Sequence, residues 1–74
     1  MDMKTILIVE DEPAIQDMLS LFLRTENFEV VHAYDYVQAS EYLAVHRPDL
    51  ILLDWMIPKG SGVQLLAEIR SSHD

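Results

Sequence analysis

The run Leu50-Ile51-Leu52-Leu53 ends directly on Asp54, and a loop containing Trp55, Met56, Pro58, Gly60 and Gly62 follows. Four consecutive aliphatic residues behind Pro48 are too few for a helix and suit a strand buried on both faces. Thr5-Ile6-Leu7-Ile8-Val9 repeats the pattern and ends on Glu10-Asp11-Glu12. Strands of this kind belong to parallel sheets covered by helices, so these two segments already point to the α/β class. They also pose a chemical question. A carboxylate at the end of a buried strand is costly to keep charged unless something pairs with it, and here two such strands end on acids.

The segments between them supply the helices. Pro13 stands where a first helical turn tolerates proline. Behind it Ile15, Met18, Leu19 and Phe22 recur at helical spacing and predict an amphipathic helix with these residues in its core-facing stripe. Glu26-Asn27 ends it, since asparagine accepts the left-handed conformation favoured at helix stops. Phe28 to Ala33 reads as a short strand. Asp35 is the expected N-cap of a weaker helix over about Tyr36–His46, with Ala39, Ser40 and Leu43 facing inward and Arg47-Pro48 terminating it. A last helix is expected from about Gly62 to Arg70, on Val63, Leu66 and Ile69 with Leu65 beside them, capped by Ser61 or Gly60. Regular strand–helix alternation with short links implies right-handed crossovers and a parallel sheet.

Composition narrows the function. With 5 basic against 13 acidic residues the net charge is −8, which disfavours direct contact with nucleic acid or an anionic membrane. No cysteine is present, so disulfides and thiolate metal sites are excluded. Apolar runs are too short to span a bilayer, and Met1-Asp2-Met3-Lys4 has no signal-peptide character. A cytoplasmic protein is the expectation. Seventy-four residues allow one small domain, which buries only about 60% of its unfolded surface.

In a parallel sheet the strands end at one edge, where α/β proteins place their ligands. If the first and third strands are neighbours, Glu10, Asp11 and Asp54 meet there. Carboxylates crowded together repel one another unless a hard cation sits among them, and Mg²⁺ suits one or two carboxylates, a backbone carbonyl, several waters and a phosphate oxygen. The plainer reading of any single one of these acids is a turn or helix cap.

The motifs "ILIVEDEP" and "PDLILLDWMIPKGSG" together resemble the receiver domain of two-component response regulators, over essentially the whole chain. The likeness is greatest to the subfamily whose receivers precede a winged-helix DNA-binding domain, and Leu52 to Met56 suggest its phosphate-regulon group. The resemblance implies a flavodoxin-like parallel sheet with helices on both faces. It implies that Asp54 accepts a phosphoryl group from a sensor histidine kinase or a small phosphodonor, with no other catalytic residue. It makes Asp11 a direct Mg²⁺ ligand and Glu10 an acid holding the metal through water. Asp54 and the backbone carbonyl of Met56 complete the metal set, and Pro58 and Gly62 shape the pocket loop. Trp55 reads equally as a pocket wall or an exposed loop aromatic. Lys59 is assigned no role.

The family has five strands in order 2-1-3-4-5. On that pattern residues 1–74 are expected to supply only the first three β-α units, order 2-1-3. They would lack the later Ser/Thr and Lys that bind phosphoryl oxygens and any effector domain through which DNA would be bound. A third strand left at an edge invites a homodimer or swapped assembly. The competing functions are a structural or dominant-negative fragment and a phosphotransferase of the haloacid dehalogenase type. The second needs an Asp two residues after Asp54, where Met56 stands. A topoisomerase–primase type of site fails at the same position. His32, His46 and His73 share no metal spacing, and Tyr34, Tyr36 and Tyr42 are expected to pack the edge of the second helix.

Overall fold

The computed structural model describes residues 3–53 together with Ala67 and Arg70, both helical. The rest of the expected Gly62–Arg70 helix and the loop from Asp54 to Gly62 lie outside the described residues.

Five elements follow in order: β1 (Thr5–Val9), α1 (Pro13–Thr25), β2 (Glu29–Ala33), α2 (Tyr36–Val45) and β3 (Leu50–Leu53). The three strands form one parallel sheet in the order β2-β1-β3. The central strand β1 is a run of β-branched and aliphatic residues, and its Ile6, Leu7, Ile8 and Val9 are all buried. Alternation along it feeds two cores. Leu7 and Val9 pack with Ala33, Ala39 and Leu43 beneath α2, flanked by Val31, Tyr36, Tyr42, Ile51 and Leu53. Ile6 and Ile8 pack with Val30 beneath α1, flanked by Leu19, Leu23, Phe28 and Leu52. Each side chain of β1 from Ile6 to Val9 thus has a helix above or below it, which is why that run shows no polar alternation. No helix among the described residues is long and apolar enough to cross a membrane.

The helix ends follow local chemistry. Pro13 occupies the first turn of α1. At its C-terminus Asn27 takes φ 69°, the amide of Phe28 donates to the carbonyl of Leu23 at 3.1 Å, and that of Asn27 to Arg24 at 3.0 Å. This paired arrangement satisfies carbonyls that the last turn leaves open. Asp35 caps α2, its Oδ1 accepting from the Gln38 amide at 2.8 Å, while the Gln38 side chain reaches back to accept from the Tyr34 amide at 2.8 Å. α2 stops at Val45, one residue short of the expected end, and β2 begins at Glu29 rather than Phe28.

Two expectations need correction. Met18 and Phe22 were placed in the inward stripe of α1, but each is 62% exposed. The inward face instead carries Gln16 and Ser20, both buried, with Ile15, Leu19 and Leu23 half-buried. The helix is turned so that a glutamine reaches the strand ends. The strand Leu50–Leu53 is not buried on both faces: Leu50 is 52% exposed and the other three are half-buried. Among the described residues β3 pairs only with β1, so its outer flank has no strand to cover it.

Candidate functional site at the sheet edge

The register fixes which residues share the edge. Val9 is level with Leu53 on β3 and with Ala33 on β2. The acids that follow Val9 therefore leave β1 level with the last described residue of β3, Leu53. At the opposite end the pair of strands is clipped together: the Thr5 amide donates to Asp49 Oδ2 at 2.7 Å, and the Asp49 amide donates to the Thr5 carbonyl at 2.8 Å.

Of the expected site residues, Glu10 and Asp11 are described. Glu10 is half-buried and Asp11 exposed. The Glu10 amide extends the β1–β2 ladder by one rung, donating to the Ala33 carbonyl at 3.0 Å. Its Oε2 accepts from the Glu12 amide at 3.1 Å, so this carboxylate sits at the positive end of α1, where negative charge is favoured. Glu12 itself is the N-cap of α1 without a side-chain cap bond; its carbonyl accepts from the Ile15 and Gln16 amides, both at 3.1 Å. Asp54, Trp55, Met56, Pro58 and Gly62 lie outside the described residues. Among the described residues no three His, Cys, Asp or Glu side chains converge on a point that could hold a metal ion, so the acids after β1 do not by themselves make a closed cation site.

Beside this edge lies a cavity of about 350 Å³ lined by Ile8, Val9, Glu10, Leu19, Leu52 and Leu53. It follows the seam between β1 and β3 and places Glu10 at a mostly apolar rim, where a carboxylate is less solvated than in open water.

Sequence reasoning missed Gln16. It is fully buried, and its Nε2 donates to the carbonyls of Ile8 at 2.9 Å, Ala33 at 2.9 Å and Glu10 at 3.2 Å. These carbonyls belong to the ends of β1 and β2. Three acceptors around one nitrogen identify that atom as the amide NH₂. Gln16 Oε1 then faces His32 Nδ1, which must carry the proton in this contact. The His32 ring in turn stacks on Tyr34, centroids 6.1 Å apart. The signal in the sequence was a polar residue between Ile15 and Leu19, on the arc of the helix that had to face the sheet. His46, by contrast, stacks on Tyr42 at the far end of α2, centroids 4.4 Å apart. Burial, with Glu29 and Asp49 adding smaller electrostatic contributions, holds the Tyr42 phenol above its ordinary pKa of 10.0.

Comparison with known proteins agrees with this architecture. The family model for the response regulator receiver domain matches residues 6–74. The phosphate regulon transcriptional regulatory protein PhoB of Escherichia coli (strain K12) is 45% identical over 67 residues, which are 90% of this chain and 29% of that protein. The PhoB of Pseudomonas aeruginosa is 42% identical over 67 residues, 90% of this chain and 29% of that protein. The crystal structure of response regulator TrrA from Thermotoga maritima, in complex with Mg(2+)-BeF, matches with a TM-score of 0.90 at 35% identity, covering 96% of this chain and 62% of that one. A receiver domain from Methanospirillum hungatei JF-1 matches with a TM-score of 0.93 at 29% identity, covering 97% of this chain and 58% of that one. The chain spans less than a third of the curated relatives it matches. With a 2-1-3 parallel sheet, acids leaving the end of its central strand and a family match across nearly its whole length, this chain belongs to the response regulator receiver domains of two-component signalling.

Proposed function

We propose that this chain is a phospho-acceptor, taking a phosphoryl group on Asp54 from a phosphohistidine of a sensor histidine kinase or from a small phosphodonor. The observation that carries the reading is the register of β1 on β3, with Val9 level with Leu53. It supports a reading in which Glu10-Asp11 and the residue after Leu53 share one edge of the sheet. The transfer needs little from the protein beyond position and charge. A carboxylate oxygen of Asp54 attacks phosphorus, an O–P bond forms, the N–P bond breaks, and its electron pair stays with the imidazole nitrogen of the donor.

Glu10, Asp11, Asp54 and the backbone carbonyl of Met56 would hold Mg²⁺. The donors described at this edge fit it: they are oxygens, one exposed and one half-buried, the set a small hard cation prefers. When bound, Mg²⁺ neutralises charge on the transferring oxygens. Glu10 also keeps one oxygen on the Glu12 amide, which suits an acid that holds a metal through water. The TrrA structure with Mg(2+)-BeF and the BeF3-activated RstA receiver of Klebsiella pneumoniae, 31% identical with a TM-score of 0.89, support the same chemistry here. In this reading the module is a signalling domain, and DNA is reached through an effector domain of the whole protein.

The test is incubation with acetyl phosphate and Mg²⁺, followed by intact mass and peptide fragmentation. One added phosphoryl group on Asp54, lost in Asp54→Asn and without Mg²⁺, is the expected result. Phosphate on Glu10, Asp11 or a serine, or none at all, refutes the reading.

A further inference from the structure

The end of β1 is held by a side chain from α1. The Gln16 amide nitrogen has two hydrogens and three carbonyl acceptors, those of Ile8, Glu10 and Ala33, all within 3.2 Å. Of these carbonyls, that of Ala33 is also the acceptor of the last rung of the β1–β2 ladder, from the Glu10 amide, and that of Ile8 lies two residues before Glu10 on β1. The third belongs to the peptide that joins Glu10 to Asp11. That peptide is planar. Holding its oxygen therefore restrains that plane and the position of the Asp11 Cα, the point from which the Asp11 side chain leaves the chain. The Gln16 side chain is itself fully buried, and among the described residues no buried side-chain nitrogen or oxygen lacks a partner.

We propose that Gln16 is a positioning residue for the cation site, orienting Asp11 through the Glu10 carbonyl, and that His32 holds Gln16 in the required orientation. The inference rests on the Mg²⁺ reading given above and adds to it a residue that touches neither metal nor phosphoryl group. The role of His32 follows from the amide geometry. A glutamine rotated by 180° would turn its carbonyl oxygen toward three other carbonyls. The Nδ1–H of His32 on Gln16 Oε1 stabilises the productive orientation. A side chain that donates from the same place preserves it, and an apolar one does not.

The test uses the full chain and follows Mg²⁺ binding by the fluorescence of Trp55, beside the amide exchange of Glu10 in metal-free protein. Gln16→Met keeps the length of the side chain and removes the donors. It is expected to weaken Mg²⁺ binding about tenfold, the range for loss of a group that orients a ligand, and to speed exchange of the Glu10 amide. His32→Leu should weaken binding by a smaller factor and His32→Asn, whose amide donates from nearly the Nδ1 position, should restore it. Val30→Ala is the control for stability alone: it opens a cavity under α1, lowers the melting temperature and leaves Mg²⁺ affinity unchanged. If Gln16→Met does not fold, the two His32 variants carry the test. A wild-type response that Gln16→Met or His32→Leu leaves intact overturns the inference and spares the metal reading. Equal weakening by Val30→Ala also overturns it, because Gln16 would then act only through stability. A wild-type chain that gives no Mg²⁺ response overturns the metal reading and this inference together.

Discussion

Leu7→Ala and Phe22→Ala separate the structure from a simple reading of hydrophobicity. On composition the aromatic residue is the greater loss. In the structure Leu7 is 0% exposed and packs against Val9, Ala33, Ala39 and Leu43, whereas Phe22 is 62% exposed. A buried leucine replaced by alanine costs about 3 kcal/mol, because the transfer of the side chain and the residual cavity both count. For a chain of this size the unfolding entropy is about 0.15 kcal/mol per kelvin, so this loss lowers the melting temperature by roughly 20 °C. Phe22 leaves only about 75 Å² of its surface covered, which at 25 cal/mol per Å² is worth about 1–2 kcal/mol before the alanine's own contribution is subtracted. Its substitution should lower the melting temperature by no more than about 10 °C. Circular dichroism melts of both variants, at a concentration where sedimentation shows a monomer, make the comparison. Equal losses in that monomer would refute the assignment of α1's outward face. Losses that become equal only at high concentration would instead show Phe22 covered by a second copy.

Asp35→Ala should cost about 1 kcal/mol by removing the acceptor from the Gln38 amide, and Asp35→Asn should cost less; chemical denaturation measures both. Tyr42→Phe bears on alkaline pH. The folded-state pKa of Tyr42 is raised, chiefly by burial and secondarily by Glu29 and Asp49, so the unfolded chain loses this proton first. The stabilisation it provides is therefore full below the unfolded pKa near 10.0 and disappears as pH rises through the higher folded value. Between pH 9 and 11 the wild type should lose more stability than Tyr42→Phe, and parallel curves would refute the sign.

The elements were legible because several local signals agreed at each. Pro13, Asn27 and Asp35 mark their helix ends by backbone and side-chain chemistry that does not depend on the tertiary fold, and all three act as expected. Strand order 2-1-3 was implied by the family resemblance and is present. The face of α1 was read wrongly for a physical reason. Apolar periodicity finds the stripe with most hydrophobic atoms, but the helix passes the ends of β1 and β2, where a buried donor meets three backbone carbonyls. Gln16 supplies it. At about 100° per residue, Met18 and Phe22 lie far around the helix from it, so satisfying the carbonyls turns both outward. The burial of β3 was over-read likewise: four aliphatic residues announce a strand, but only the sheet order says whether it has a second neighbour. Of the candidate site, Glu10 and Asp11 stand where the sequence placed them, at the end of β1. No sequence pattern reveals that a buried glutamine and a histidine 16 residues further on would meet behind them.

The two strands on which the proposed site rests are held unequally. β1 pairs on both sides, its four core residues are buried, and its last peptide is gripped by the Ala33 carbonyl at one rung and by the Gln16 amide at the next. β3, among the described residues, pairs on one side, and its first residue is half exposed. Preorganisation matters most for groups that must bring like charges together, because any freedom to separate is taken. On β1 the Glu10 carboxylate is tied to the Glu12 amide, and the peptide leading to Asp11 is tied to Gln16. In the proposed reaction those are the residues that wait with a cation for the phosphoryl donor. In that proposed reaction, the backbone ladder and one buried amide hold the β1 end of the site in place before any ligand arrives.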